Sequence, residues 1–172
     1  MNLQSNDFEL FGLTQQFAQD RSVLDARWKA LQSEAHPDKF SAQGAAAQRV
    51  AMQWSARINE AYQRLKDPLS RAAYLCELKG SPINAHSNTA MPAAFLVQQM
   101  EWRETLDDAN DARALEALRQ EVGTAKRQLL DQCAQLLDVQ HDYQAAVQPV
   151  RELMFIGKFA KDLDHGFDRF ES

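Results

Sequence analysis

The sequence is poor in cysteine, glycine and proline, and each shortage excludes a class of protein. Its 172 residues include two cysteines, six glycines and five prolines. Cys76 and Cys133 form no CxxC pair, so a zinc ribbon, a thioredoxin-like motif and a disulfide scaffold have no support. Few turn-forming residues also disfavour a β-sandwich or barrel, whereas 26 alanines and 18 glutamines favour helix.

Long apolar runs and a basic surplus are absent as well. No stretch approaches the roughly 18 uninterrupted apolar residues of a membrane-spanning helix. Residues 1–10 have neither the basic nor the apolar region of a secretory signal, so we expect a cytoplasmic protein with no membrane partner. Residues 80–172 carry nine basic and 15 acidic residues. That acidic balance argues against nucleic acid as a partner, because phosphates require a basic face.

Apolar residues recur at helical spacing along most of the chain, which predicts an all-α protein. Residues 80–92 are rich in proline, glycine and small polar residues, and we interpret them as a short linker between two domains, 1–79 and 93–172. The N-terminal domain is predicted to hold four helices, the second capped by Ser22. The C-terminal domain is predicted to be an antiparallel three-helix bundle. Pro149 predicts either a kink in the last helix or a short helix before its true start.

The loop between the second and third helices contains His36-Pro37-Asp38-Lys39-Phe40. Pro37 disfavours the α conformation at His36 and so ends the second helix. By itself the tripeptide His-Pro-Asp is typical of any solvated turn between helices. Its position matters more, because it ends one amphipathic helix and precedes a longer one that begins near Gly44.

Several motifs in the first domain together resemble a J-domain, the module of DnaJ-type co-chaperones. The resemblance rests on residues 6–13, 36–40, 58–68 and 71–75, in this order and at the family's spacing. It implies that the domain binds a chaperone ATPase and stimulates it, with Asp38 pairing with an arginine of the ATPase. The residues implied in chaperone binding are His36, Pro37, Asp38, Lys39, Arg27 and Lys29.

The C-terminal half resembles the HscB family, the J-proteins specialised for iron–sulfur cluster assembly. The residues that carry this likeness are 94–96, 99–101, 103–104 and 106–107. The family implies two partners: a DnaK-like chaperone of the HscA type and a cluster scaffold of the IscU type. It implies no cofactor and no bond chemistry in this chain, and we expect a monomer.

One face of the first C-terminal helix is a candidate scaffold-binding surface. Phe95, Trp102 and Leu106 can supply its core contacts, which leaves a second apolar group partly exposed, and acidic residues recur every three or four positions beside it. An apolar patch with an acidic rim fits a basic partner. The alternative is an ordinary solvated face. The residues assigned to this surface are Leu96, Val97, Met100, Glu101, Glu104, Asp108 and, from the last helix, Phe155.

Two other functions are consistent with parts of the sequence. A general J-protein that serves a DnaK-type chaperone and unfolded clients would need the same loop. A metallohydrolase could use His36 and Asp38, but metal sites usually need three or four convergent ligands. The remaining histidines, His86, His141 and His165, are scattered along the chain, so we expect no enzyme.

Overall fold

The computed structural model describes residues 2–84 and 90–171. Residues 85–89 of the predicted linker, with His86 among them, lie outside this described part. The described residues form helices and turns without any strand, so the all-α prediction is confirmed. The helices are α1 (Asp7–Phe11), α2 (Arg21–Ala35), a 3₁₀ helix (Pro37–Gln43), α3 (Ala45–Lys66), α4 (Pro68–Leu78), α5 (Ala93–Asp108), α6 (Ala112–Ala134), a π-helical turn (Gln135–Val139), α7 (Tyr143–Phe167) and a 3₁₀ turn (Asp168–Phe170).

Side-chain caps fix the start of most helices. At α1 the Asn6 side chain accepts from the amide of Glu9, whose own carboxylate accepts from Asn6, which makes a capping box. At α2 the predicted cap Ser22 is wrong. Asp20 is the cap, because its Oδ1 accepts from the amides of Ser22 and Val23 at 2.9 and 3.4 Å. The Ser22 hydroxyl also donates to Asp20 Oδ1, at 2.7 Å. The three bonds together lower the pKa of Asp20, and the hydroxyl contributes most.

The chain divides into two compact units, one ending at Leu75 and one beginning at Cys76. In the first unit α2 and α3 form an antiparallel hairpin. Trp28 donates to the Asn59 side chain at 3.0 Å, and Gln32 exchanges hydrogen bonds with Ser55. The Trp28 ring also stacks on Tyr62 at 4.6 Å. The buried side chains of this unit include Phe8, Phe11, Leu24, Ile58, Leu65 and Leu75.

In the second unit α5, α6 and α7 run up, down and up, as the sequence predicts. Trp102 of α5 donates to Glu121 of α6 at 3.1 Å, and Arg119 of α6 pairs with Asp164 of α7 at 3.2 Å. Consecutive helices are therefore antiparallel, and α5 is parallel to α7. Between them lies a buried core of Phe95, Trp102, Leu106, Leu115, Leu118, Val122, Ile156, Phe159 and Leu163.

Two local features of this bundle depart from regular helical periodicity. The near-heptad spacing of Leu129, Cys133 and Leu136 in the sequence predicts a core position for Leu136, but Leu137 is the buried residue. The π-helical turn, with more residues per turn than an α-helix, shifts the phase by one position. Pro149 lies inside the continuous helix α7 and is buried there. A separate short helix before it is therefore excluded.

The start of the predicted linker is fastened to the second unit. Ile83 is buried, and its carbonyl accepts two hydrogen bonds from Arg151 at 2.8 and 2.6 Å. The Cys76 thiol lies 3.6 Å from the Tyr143 carbonyl, and the Lys79 ammonium lies 5.5 Å from the Tyr143 ring centre. Residues 76–83 thus pack on α7 instead of forming a free tether.

Candidate functional site

The His-Pro-Asp loop is a short, hydrogen-bonded 3₁₀ helix. His36 ends α2 in an extended conformation, ψ 128°, as expected for a residue before proline, and caps the 3₁₀ helix at Pro37–Gln43. The Lys39 amide donates to the His36 carbonyl at 3.0 Å, and the Asp38 amide donates to His36 Nδ1 at 3.2 Å. The Ser41 hydroxyl closes the turn by donating to the Asp38 carbonyl at 3.1 Å.

Asp38 presents its carboxylate to solvent. Its side chain is 92% exposed, and its Oδ2 lies 3.6 Å from His36 Nδ1. The loop's hydrogen bonds use the amide and carbonyl of Asp38 and not the carboxylate. The negative charge is therefore held by a rigid backbone and is available to a cationic partner.

The basic residues predicted beside the loop are not equally available. Lys29 and Lys39 are exposed on α2 and on the 3₁₀ helix, and Lys39 Nζ lies 3.4 Å from Ser33 Oγ. Arg27 instead reaches the end of α1, where its Nη1 donates to the Phe11 carbonyl at 3.2 Å. One N–H of its guanidinium therefore links α2 to the end of α1.

Asp25, an acidic residue on α2 close in sequence to Arg27 and Lys29, is neutralised locally. Its carboxylate accepts from the Tyr62 hydroxyl at 2.6 Å and pairs with Arg21 at 2.8 Å. These bonds, that of Tyr62 first, lower the pKa of Asp25, and the bond to Asp25 raises the pKa of Arg21. The Arg21–Asp25 pair cancels. The positive charge near the loop therefore comes from Lys29, Lys39 and Arg27, because a hydrogen bond to a neutral carbonyl leaves the Arg27 charge in place.

A buried ion cluster supports this domain, and the sequence analysis missed it. Asp7, fully buried, lies 2.8 Å from Arg57 and 2.6 Å from Arg64, and its amide donates to the Tyr74 hydroxyl at 3.0 Å. The bond to Asp7 raises the pKa of Arg64. The seven-residue spacing of the two arginines on α3 was the available signal, since it places both on one helix face. The cluster joins α1, α3 and α4.

On α5 the apolar residues separate into a buried and an exposed group. Phe95, Trp102 and Leu106 are at most 6% exposed and belong to the bundle core. By contrast, the exposed fractions of Leu96, Val97 and Met100 are 47%, 52% and 66%. The structure thus confirms which apolar residues of α5 are buried and which are exposed. The second group forms an apolar strip beside the core that nothing in the described residues covers.

Phe155 of α7 extends this strip. Its side chain is 41% exposed, and its ring lies edge-on to Phe95 with the ring centres 6.3 Å apart. Phe155 therefore contacts α5 at Phe95, the residue that directly precedes Leu96. We call Leu96, Val97, Met100 and Phe155 the apolar patch.

The predicted acidic residues lie on the same helix. Glu101, Glu104 and Asp108 line one side of an open depression of about 540 Å³ at the C-terminal half of α5. Asp111, the cap of α6, lines the same depression. Val97 and Glu101, like Met100 and Glu104, are four positions apart on α5 and so are neighbours on its surface. The acidic depression therefore begins where the apolar patch ends. A surface of this kind suits a partner with apolar and basic groups side by side.

The cysteines lie within the second unit. Cys76 and Cys133 are both fully buried, and burial raises their thiol pKa values to about 11 and about 12. Across residues 2–84 and 90–171, no three His, Cys, Asp or Glu side chains form a group that could hold a metal ion. Nor does any described helix combine the length and apolar character that crossing a membrane requires.

A helical hairpin with an exposed His-Pro-Asp turn, joined in one chain to a three-helix bundle, defines a J-domain protein with an additional C-terminal domain. The family model described as "HSCB C-terminal oligomerisation domain" matches residues 91–164. The chain is 52% identical to the "Co-chaperone protein HscB homolog" of Bordetella petrii over 91% of this chain and 92% of that protein.

Solved structures agree with this assignment. "Chaperone HscB from Vibrio cholerae" superposes with a TM-score of 0.84 at 38% identity, covering 96% of this chain and 99% of that one. The human co-chaperone protein HscB superposes with a TM-score of 0.90 at 25% identity, covering 95% of this chain and 83% of that one. The chain belongs to the HscB family of co-chaperones.

Proposed function

We propose that this co-chaperone acts in iron–sulfur cluster assembly by delivering an IscU-type scaffold to an HscA-type, DnaK-like chaperone and stimulating that chaperone's ATPase. Family membership supports the class of process. The observation that carries the proposal is that each compact unit presents its own exposed candidate surface: the Asp38 loop in the first unit, and the apolar patch with its acidic border in the second.

In the first unit, the Asp38 carboxylate would pair with an arginine of the ATPase and favour its hydrolysis-competent state. The hydrogen-bonded 3₁₀ helix supports this role, because a carboxylate on an ordered backbone loses less entropy on pairing than one on a mobile loop. Lys29 and Lys39 would speed the encounter with an acidic surface. The chain itself would make or break no bond, and hydrolysis would take place in the chaperone.

In the second unit, the apolar patch would bind the scaffold. Apolar side chains near the centre of an interface carry much of its binding energy, and Leu96, Met100 and Phe155 are the three largest side chains of the patch. Glu101 and Glu104 would select a partner with basic residues around its own apolar contact.

The test of the first surface is chaperone ATPase activity with Asp38→Ala, with Asp38→Asn as the isosteric variant that removes only the charge. Both should fold as the parent does, within about 0.5 kcal/mol, because the side chain is exposed. Both should abolish stimulation of an HscA-type ATPase while leaving scaffold binding unchanged. Stimulation at the parent's level by either variant would contradict the proposed mechanism.

Pull-down with a purified IscU-type scaffold tests the choice of partner. The HscB-type function predicts specific, saturable capture that the apolar patch supports. Failure to capture the scaffold, together with binding of chemically unfolded clients, would favour the general J-protein instead.

A further inference from the structure

The junction between α2 and the 3₁₀ helix consists of one residue, His36, which ends the first helix and begins the second. Pro37 follows at the first position of the 3₁₀ helix and has no amide proton. Asp38 therefore carries the first backbone N–H of the 3₁₀ helix. The next one, that of Lys39, donates to the His36 carbonyl. In this loop the acceptor for the Asp38 amide is the His36 side chain.

We propose that His36 is a positioning residue that works through Nδ1 as the cap of the 3₁₀ helix, in the neutral tautomer that carries its proton on Nε2. An imidazole nitrogen accepts a hydrogen bond only where it carries no proton. The 3.2 Å bond from the Asp38 amide therefore requires an unprotonated Nδ1. This inference rests on the proposed function of Asp38 and adds the atom that holds Asp38 in place.

The geometry links the His36 side chain to the carboxylate two residues away. The same Nδ1 that accepts from the Asp38 amide lies 3.6 Å from Asp38 Oδ2. Loss of the acceptor would leave the Asp38 amide bonded to water and would remove the contact that links the His36 side chain to the first turn. A proton on Nδ1 would attract the carboxylate instead of the amide, and would occupy the charge that Asp38 offers to a partner.

Two substitutions distinguish this inference from a general need for a polar side chain. The Oδ1 of asparagine is separated from Cβ by the same number of bonds as histidine Nδ1, and asparagine is a preferred helix cap. The Oε1 of glutamine is one bond further away, at the reach of Nε2. We therefore expect His36→Asn to keep stimulation of an HscA-type ATPase within about twofold of the parent.

His36→Gln and His36→Ala should reduce stimulation about fivefold or more, because loss of a cap acceptor changes a helix-start equilibrium by a factor of that order. His165→Asn, an exposed substitution on α7, is the matched control and should stimulate as the parent does. Equal stimulation by His36→Asn and His36→Gln, at any level, would overturn the inference.

A spectroscopic measurement tests the tautomer without the chaperone. In ¹⁵N NMR spectra of the full chain at pH 8.5, the His36 ring should show a protonated Nε2 and an unprotonated Nδ1, assigned by the signals that His36→Asn removes. A protonated Nδ1 would overturn the inference whatever the ATPase result. Stimulation by Asp38→Ala at the parent's level would instead contradict the proposed function, while the NMR spectrum would still report on the cap.

Discussion

Replacing Leu96, Met100 and Phe155 together by alanine should strongly weaken scaffold binding while the chain remains folded. Full burial of a side chain of this size stabilises a protein by about 1.5–3 kcal/mol. The three side chains are 47%, 66% and 41% exposed, so roughly half of that burial is at stake in each. We expect each truncation to lower the free energy of unfolding by about 1 kcal/mol and the triple variant to lose about 2–3 kcal/mol.

Scaffold affinity should fall because the three side chains are lost from the interface, and not because the chain unfolds. If each side chain contributes about 1 kcal/mol or more at the centre of the interface, the triple variant should bind roughly a hundredfold more weakly. Isothermal titration calorimetry with an IscU-type scaffold measures the affinity, and urea unfolding followed by circular dichroism measures the stability. Stimulation of the ATPase through the Asp38 loop, measured without scaffold, should persist.

Leu118→Ala is the control matched in stability. Leu118 lies in the bundle core at 2% exposure, and its truncation should cost about 2–5 kcal/mol without altering the surface. This variant should bind the scaffold as the parent does. The reasoning is refuted if the triple variant binds no worse than Leu118→Ala. It is refuted equally if the triple variant loses stability like three core leucines, above about 6 kcal/mol.

Three further predictions concern charge and thiol chemistry. Chaperone association should slow only slightly as salt rises from low to half-molar, because Lys29 is exposed while Arg27 is partly engaged, and a flat stopped-flow response would contradict steering. Reversing Glu101 and Glu104 to lysine should lower the scaffold association rate more than it raises the dissociation rate, which surface plasmon resonance can separate. Cys133, with its pKa raised to about 12, should resist a thiol reagent at pH 8 until urea unfolds the chain. The free energy of unfolding should fall above about pH 9, because the thiol ionises at lower pH in the unfolded chain than in the folded one. Rapid labelling of the native protein would contradict that burial.

Much of the local structure follows from the sequence alone, because caps and helical periodicity act over a few residues. Asn6, Asp111 and Asp142 cap the helices that follow them, and the α5 spacing correctly separates Phe95 and Trp102 from the exposed patch. The same short range explains the error at α2, where Asp20 and Ser22 are both good caps and only the backbone path selects Asp20.

Only the tertiary structure decided which polar groups meet across long separations in sequence. Asp7 lies in the first turn of α1, and folding buries it against Arg57 and Arg64. Arg27 is predicted to bind the chaperone, yet its guanidinium donates a hydrogen bond to the last residue of α1. Arg151 donates to the carbonyl of Ile83, 68 positions earlier in the sequence. Hydrophobic periodicity specifies which face of a helix is buried, whereas the partner of a charge depends on which other helix packs there.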